Sequence, residues 1–225
     1  MSTQAALRDE ICRVGRSLFE RGYVHATAGN LSVRLPDDEG WLITPTDACL
    51  GFLDPARLAH VAPDGTQRSG DRASKTLALH RQIYGADPQA RCVLHTHSTH
   101  LVALTLAGRE HGVWREDAIL PPITPYFVMK VGRVPRIPYH RPGDPAAAAL
   151  VAQAITAARE AGTPIRAVML DRLGPNVWHD SPAAAMATLE ELEETARLWL
   201  MSSPRPAPLT DAQIDELRQQ FNAIW

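Results

Sequence analysis

The spacing of apolar residues changes period several times along the chain. Over residues 2–21, Ile11, Val14 and Leu18 recur at helical spacing, which predicts an amphipathic helix that Gly22 can stop. Leu31-Ser32-Val33-Arg34-Leu35 alternates with period two, as a half-buried strand does. Asp37-Asp38-Glu39-Gly40 then turns the chain into a returning strand, Trp41-Leu42-Ile43-Thr44. Residues 45–53 carry no period and read as loop. Asp54 and Pro55 read as cap and first residue of a short helix, and Asp64-Gly65 as a hairpin-type turn.

Ser74 opens a second long helix, with Leu77, His80, Ile83 and Tyr84 on one face and Gly85 as its stop. Residues 92–97 read as a strand. Ser98 or Thr99 caps a helix that carries Leu101, Val102, Leu104 and Thr105. Pro121-Pro122-Ile123-Thr124-Pro125 is a stiff connector. Asp144-Pro145 opens an alanine-rich helix that ends near Gly162, and Ala167-Val168-Met169-Leu170 is a short buried strand. Ser181-Pro182 opens a helix with Met186, Leu189, Leu192, Ala196 and Trp199 on one face. Thr210 and Gln213 form a capping box for a last helix whose apolar face is Ile214, Leu217 and Phe221. Helices and strands interleave without repeat or linker, so residues 1–225 read as one α/β domain.

Composition narrows the classes. Hydrophobic residues make up 45% and charged residues 21% of the 225, an ordinary globular balance. A formal net charge of -2 implies no basic face, so nucleic acid is not an expected partner. Cys12, Cys49 and Cys92 are odd in number and form no C-x-x-C pair, which suits reduced thiols in the cytoplasm. Arg8, Asp9 and Glu10 stand where a signal peptide needs an apolar core. The most apolar segment, residues 146–158, is too short to cross a bilayer, so no membrane partner is expected.

The candidate chemistry centres on His95-Thr96-His97. Side chains two apart in a strand share a face, so these imidazoles can share a metal ion, and neutral imidazole suits zinc, iron, nickel or copper. Two half-buried histidines with hydrogen-bond partners of their own are the alternative. His100 falls in the first turn of the next helix and points elsewhere. Gly29-Asn30 can present donors to an anion, and is equally a tight turn that needs glycine. Ser74 and Lys75 at a helix N-terminus favour an anion, with Ser74 equally a plain cap. Tyr126 is either a proton donor to an intermediate or an aromatic packed at an interface. The acidic run of residues 190–194 reads as a solvated helix face.

Several ordered motifs together resemble the class II aldolase/adducin family. They are Thr27-Ala28-Gly29-Asn30-Leu31-Ser32-Val33-Arg34, Leu42-Ile43-Thr44-Pro45-Thr46, Ser74-Lys75 ahead of His80, His95-x-His97, and Glu190-Glu191-Leu192-Glu193-Glu194-Thr195-Ala196. Within it, His97-Ser98-Thr99-His100, Leu120-Pro121-Pro122-Ile123-Thr124-Pro125-Tyr126 and Tyr139-His140-Arg141-Pro142-Gly143-Asp144 are most similar to the 3-oxo-tetronate 4-phosphate decarboxylase branch. The resemblance implies a layered α/β/α fold around a largely antiparallel sheet. It also implies a homotetramer with active sites between subunits, and a divalent metal, usually zinc. Such enzymes cleave or decarboxylate small hydroxy- or oxo-acid phosphates, the metal stabilising the enediolate oxygens. The metal ligands implied here are His95 and His97, and the substrate-binding residues are Gly29, Asn30, Thr46, Asp47, Ser74 and Lys75. The catalytic residues are Tyr126 and position 76.

Three positions depart from the family pattern. Thr76 stands where a glutamate acts as acid/base, Leu173 where a third histidine binds metal, and Asp47 where a phosphate loop has glycine. Asp171, His25 and His140 are substitute ligand candidates, though Asp171 reads more simply as a strand-end acceptor and His25 and His140 as polar loop residues. The departures leave three readings open. The first is a lyase on a small oxo- or hydroxy-carboxylate with altered specificity and a metal held weakly or not at all. The others are a metal-independent enzyme in the same pocket, and a non-catalytic binding or assembly member.

Overall fold

The computed structural model describes residues 3–107 and 112–225. Among these, eight strands form one sheet: β1 (Asn30–Arg34), β2 (Trp41–Ile43), β3 (Ala59–Val61), β4 (Gln67–Ser69), β5 (Cys92–His95), β6 (Arg136–Ile137), β7 (Ala167–Leu170) and β8 (Gly174–His179). Their order is β4-β3-β2-β1-β5-β8-β7-β6, and every pairing is antiparallel except β6 with β7. The helices are α1 (Gln4–Glu20), α2 (Leu77–Ala86), α3 (Thr99–Leu106), α4 (Pro125–Lys130), α5 (Pro145–Glu160), α6 (Pro182–Met201) and α7 (Asp211–Phe221). The expected start of the first helix at residue 2 lies outside the described residues.

Strand alternation sorts the side chains into two cores. Cys92 and Leu94 of β5, Ala167 and Met169 of β7 and Val177 of β8 pack with α1, α3, α4, α6 and α7. Val93, Val168, Leu170 and Trp178 point the other way, onto α2 and α5. The result is the expected α/β/α layering. Because helices cover both faces, β1 is buried on both, not half-buried as its alternation suggested. Ser32, the polar member of that strand, is satisfied by His80 Nδ1 and the Tyr84 hydroxyl, each at 2.7 Å.

Several boundaries differ from the sequence expectation for identifiable reasons. The second helix begins at Leu77, three residues after Ser74, because residues 73–74 are still tied to the sheet. Ala73 bridges Pro45, and the Ser74 N–H donates to the Thr44 carbonyl at 3.2 Å. Gly85 lies inside this helix and does not stop it. The histidine strand ends at His95, not residue 97. Residues 50–52 of the expected loop form a 3-10 turn. The proline-rich connector leads into α4, whose cap is Thr124 and whose first residue is Pro125. Phe221 is 58% exposed, so the apolar face of α7 is shorter than expected.

The acidic run is not uniformly solvated. Glu193 is only 4% exposed, and its carboxylate accepts from the backbone N–H groups of His100 (2.9 Å) and Leu101 (3.1 Å) and pairs with His100 Nδ1 at 2.8 Å. Ser98 occupies the N-cap position of α3 without a side-chain capping bond, so Glu193 from α6 does the capping across the core. This holds the segment just after His97.

Candidate active site

At the end of the sheet where β5 finishes and β1 and β8 begin, three polar residues stand in a row. Asn30 of β1 and Asn176 of β8 are the register partners of His95, and opposed residues of an antiparallel pair share a face. All three are buried. The row continues the Val93 and Trp178 side of the sheet, so it faces α2 and α5. His95 Nδ1 lies 2.9 Å from the Pro175 carbonyl, which can only accept. The proton is therefore on Nδ1, and Nε2 keeps its lone pair. Burial, then the neighbouring His97, push the His95 pKa down to about 4, against the opposite pull of the Pro175 bond. The His97 pKa is also lowered, by burial and then by His25. Both rings are neutral at pH 7.

His97 lies beyond the strand end, yet its ring sits edge-on to His95 with centroids 5.0 Å apart. The extended segment after His95 keeps the two on one side, as the strand reading required. Backbone packing here is tight. Gly174 has φ +137°, and a Cβ there would fall 1.9 Å from the Thr96 carbonyl oxygen. Gly29 has φ +84°, and its Cβ would meet the His95 carbonyl oxygen at 2.8 Å. Both positions need glycine for conformation and for space.

A cavity of about 520 Å³ opens over this row, between the starts of α2 and α5. It gathers His95 and His97 with Gly29, Asn30, Thr46, Asp47, Ser74, Lys75 and Thr76. Ser74 and Lys75 precede α2 instead of forming its first turn. Thr76 sits at the N-cap position without capping, and its hydroxyl meets the Ser74 hydroxyl at 2.8 Å. Tyr126 is not brought to the cavity; it lies in the first turn of α4, 61% exposed. A neighbouring cavity of about 560 Å³ shares Thr46 and Asp47 but has no histidine in its lining.

The substitute ligands do not complete a metal centre. His140 lines the cavity and contacts the Pro138 carbonyl at 2.7 Å through Nδ1. His25 is exposed and outside the lining, near enough to lower the His97 pKa. Asp171 lines the cavity, but Arg136 holds one of its oxygens at 2.9 Å. Among the described residues, no group of three or more His, Cys, Asp or Glu side chains could hold a metal. Leu173 forms part of the wall. The donors offer two ligands to a family-type metal, short of the three protein ligands common in catalytic zinc sites.

Asn176 and Asp171 are among the lining residues that the sequence reading of substrate contacts does not include. Asn176 lies on β8, which that reading did not recognise as a strand. The polar Asn176 directly before the apolar pair Val177-Trp178 was the available signal. Asp171 was considered only as a ligand, because its partner Arg136 lies on the equally unrecognised β6.

Comparison with known proteins identifies the family. Residues 9–200 match the model of the class II aldolase and adducin N-terminal domain. A 3-oxo-tetronate 4-phosphate decarboxylase from Cupriavidus necator is 57% identical over the whole of both chains. One from Escherichia coli K12 is 42% identical over 96% of each. The solved structure of YgbL from Escherichia coli superposes with a TM-score of 0.85 at 40% identity, covering 96% of this chain and 100% of that one. An L-fuculose 1-phosphate aldolase shares the fold, with a TM-score of 0.79 at 21% identity over 99% and 98% of the two chains. The two-histidine cavity at the sheet end, carried on a full-length match, makes this chain a lyase-type enzyme of the class II aldolase and adducin family.

Proposed function

We propose that the chain decarboxylates a small phosphorylated 3-oxo acid, with 3-oxo-tetronate 4-phosphate as the first substrate to test. The full-length relatives named for that reaction support the reading. The observation that carries it is Thr76: a hydroxyl stands where an aldol-type reaction needs a carboxylate base. A 3-oxo acid needs no base to begin. The C1–C2 bond breaks, CO2 leaves, and the electron pair moves through C2 onto the C3 oxygen. C2 then takes a proton to give the ketone. The requirement is for donors to the developing oxyanion, not for a titratable group at position 76.

Asn30, Ser74 and Lys75 line the cavity and can donate to anionic groups. Asp47 adds a carboxylate to the same lining and weakens phosphate binding; this is the basis for altered specificity. A divalent ion, zinc in the first instance, binds weakly through His95 and His97. We place the protein in the cytoplasm as a homotetramer. Free Cys12, Cys49 and Cys92 suit a reducing compartment, and exposed Phe52, Tyr126, Tyr139 and Met201 offer apolar surface for subunit contacts. No described helix is long and apolar enough to cross a membrane.

The test is release of CO2 from 3-oxo-tetronate 4-phosphate by the purified protein, with and without added zinc. Stoichiometric release, reduced at least tenfold by H95A, is expected. No CO2 under either condition overturns the reading.

A further inference from the structure

Lys75 and Arg141 are the only lysine and arginine among the residues that line the histidine cavity. They come from different walls: Lys75 lies just before α2, and Arg141 lies in the segment that joins β6 to α5. The backbone at Arg141 is held by a closed turn. The Asp144 N–H donates to the Arg141 carbonyl at 3.1 Å, Pro142 follows Arg141, and Gly143 has φ +79°. Proline second and a left-handed glycine third are the marks of a type II turn. Asp144 is also the N-cap of α5, its Oδ1 accepting from the Ala146 N–H at 3.0 Å. The turn is thus anchored to a long helix, while the side chain of Arg141 is 72% exposed. Among the described residues its guanidinium is paired only with Asp144, whose Oδ2 lies 3.8 Å from Nε, beyond hydrogen-bond length. Its N–H donors are unspent.

A guanidinium fixed at its base and free at its tip is a seat for an anion, and its planar fork matches the two oxygens of a carboxylate. Charge decides which anion it takes. Asp144 cancels part of the Arg141 charge, so a monoanion meets less repulsion there than a dianion. A carboxylate carries a single charge at pH 7, whereas a phosphate monoester carries about -1.5 to -2. Lys75 has no ion pair among the described residues and follows Ser74, so it is left for the phosphate. We propose that Arg141 binds the carboxylate of the substrate, so that the cavity selects phosphorylated acids over polyol phosphates of the same length. The choice of a four-carbon acid rests on the decarboxylase reading; the seat for a carboxylate does not. Arg141 sets specificity and does not drive bond breaking. As CO2 leaves, the carboxylate loses its charge, so the pair is stronger with the substrate than in the transition state. The seat is open to solvent, and the expected effect on affinity is about three- to tenfold.

The test is calorimetric binding of two ligands that lack the 3-oxo group and so cannot lose CO2: tetronate 4-phosphate, and the tetritol phosphate in which a CH2OH replaces the carboxylate. The unmodified protein should bind the acid about three- to tenfold more tightly. This comparison needs no variant. R141Q should weaken the acid by the same factor and leave the tetritol phosphate unchanged, and R141K, which keeps the charge but not the fork, should recover part of the loss. With 3-oxo-tetronate 4-phosphate, R141Q should raise KM without lowering kcat. Equal affinities of the two ligands for the unmodified protein, no binding of the acid, or no effect of R141Q would overturn the proposal. So would an equal loss of both ligands in R141Q, which would put the phosphate on Arg141. If the preference for the acid is found and depends on Arg141 but no CO2 is released, the decarboxylase reading fails and the role of Arg141 stands. If CO2 is released and R141Q binds both ligands as the parent does, the reading stands and the role of Arg141 fails.

Discussion

His95 gives its Nδ1 proton to the Pro175 carbonyl, 2.9 Å away and 80 residues along the chain. That bond fixes the tautomer and aims an unprotonated Nε2 away from β8. An outer partner of this kind orients metal-binding histidines in general. Zinc binding to the purified protein should therefore be measurable and weak, and H95A/H97A should abolish it. Equal zinc occupancy in that double variant would place the metal elsewhere. T76E/L173H supplies the two missing ligand types, and zinc should bind at least tenfold more tightly than the sum of the single changes suggests. Additive or absent effects would show that positions 76 and 173 do not face one ion.

Burial sets a pH dependence of stability. His80 is fully buried, and burial, then His95, push its pKa down to about 3; His95 itself lies at about 4. Unfolded histidines titrate near ~6.5, so below that pH the unfolded chain binds protons that the folded chain refuses. Stability from these two residues is complete above ~6.5 and declines as the pH falls toward 4, by up to ~1.4 kcal/mol per unit for each. Urea titrations at pH 7.5, 6 and 5 should show this fall. It should be shallower in a folded H80N protein, and an unchanged slope would mean that other groups control it.

Asp47 has φ +56°, is exposed, and shares the cavity lining with Ser74 and Lys75. D47G suits that backbone and removes a negative charge from the lining. KM for a phosphorylated substrate should fall about two- to fivefold with kcat nearly unchanged, since a partly screened charge is worth under ~1 kcal/mol. A rise in KM would show that Asp47 binds the substrate.

Glu193 caps α3 from a different helix, with both carboxylate oxygens engaged. E193A should destabilise the protein by about 2–3 kcal/mol, as loss of a buried charged acceptor for two N–H groups does. A melting temperature within a degree of the parent would contradict the capping role. E193Q, which keeps one acceptor, should cost less.

The layered α/β class and the helices from 145 and 182 were legible in the sequence. Each rests on local signals: a period of apolar residues, or Asp-Pro and Ser-Pro starts whose caps bond within three residues. The His95 and His97 pair was legible for the same reason, since their common side follows from extended backbone alone. Only the fold could decide what surrounds them. No local signal marks β8 as a strand, since Gly174-Pro175 opens it; its pairing with β5 makes it one and carries Asn176 to His95. Arg136 reaches Asp171 because β6 lies beside β7, a parallel pairing across an intervening helix. Glu193 looks like any member of an acidic run until α3 packs against α6 and buries it. Periodicity reports which face of an element is covered. Which polar group stands opposite another is settled by register and packing between segments far apart in the chain, and the sequence carries no local mark of that.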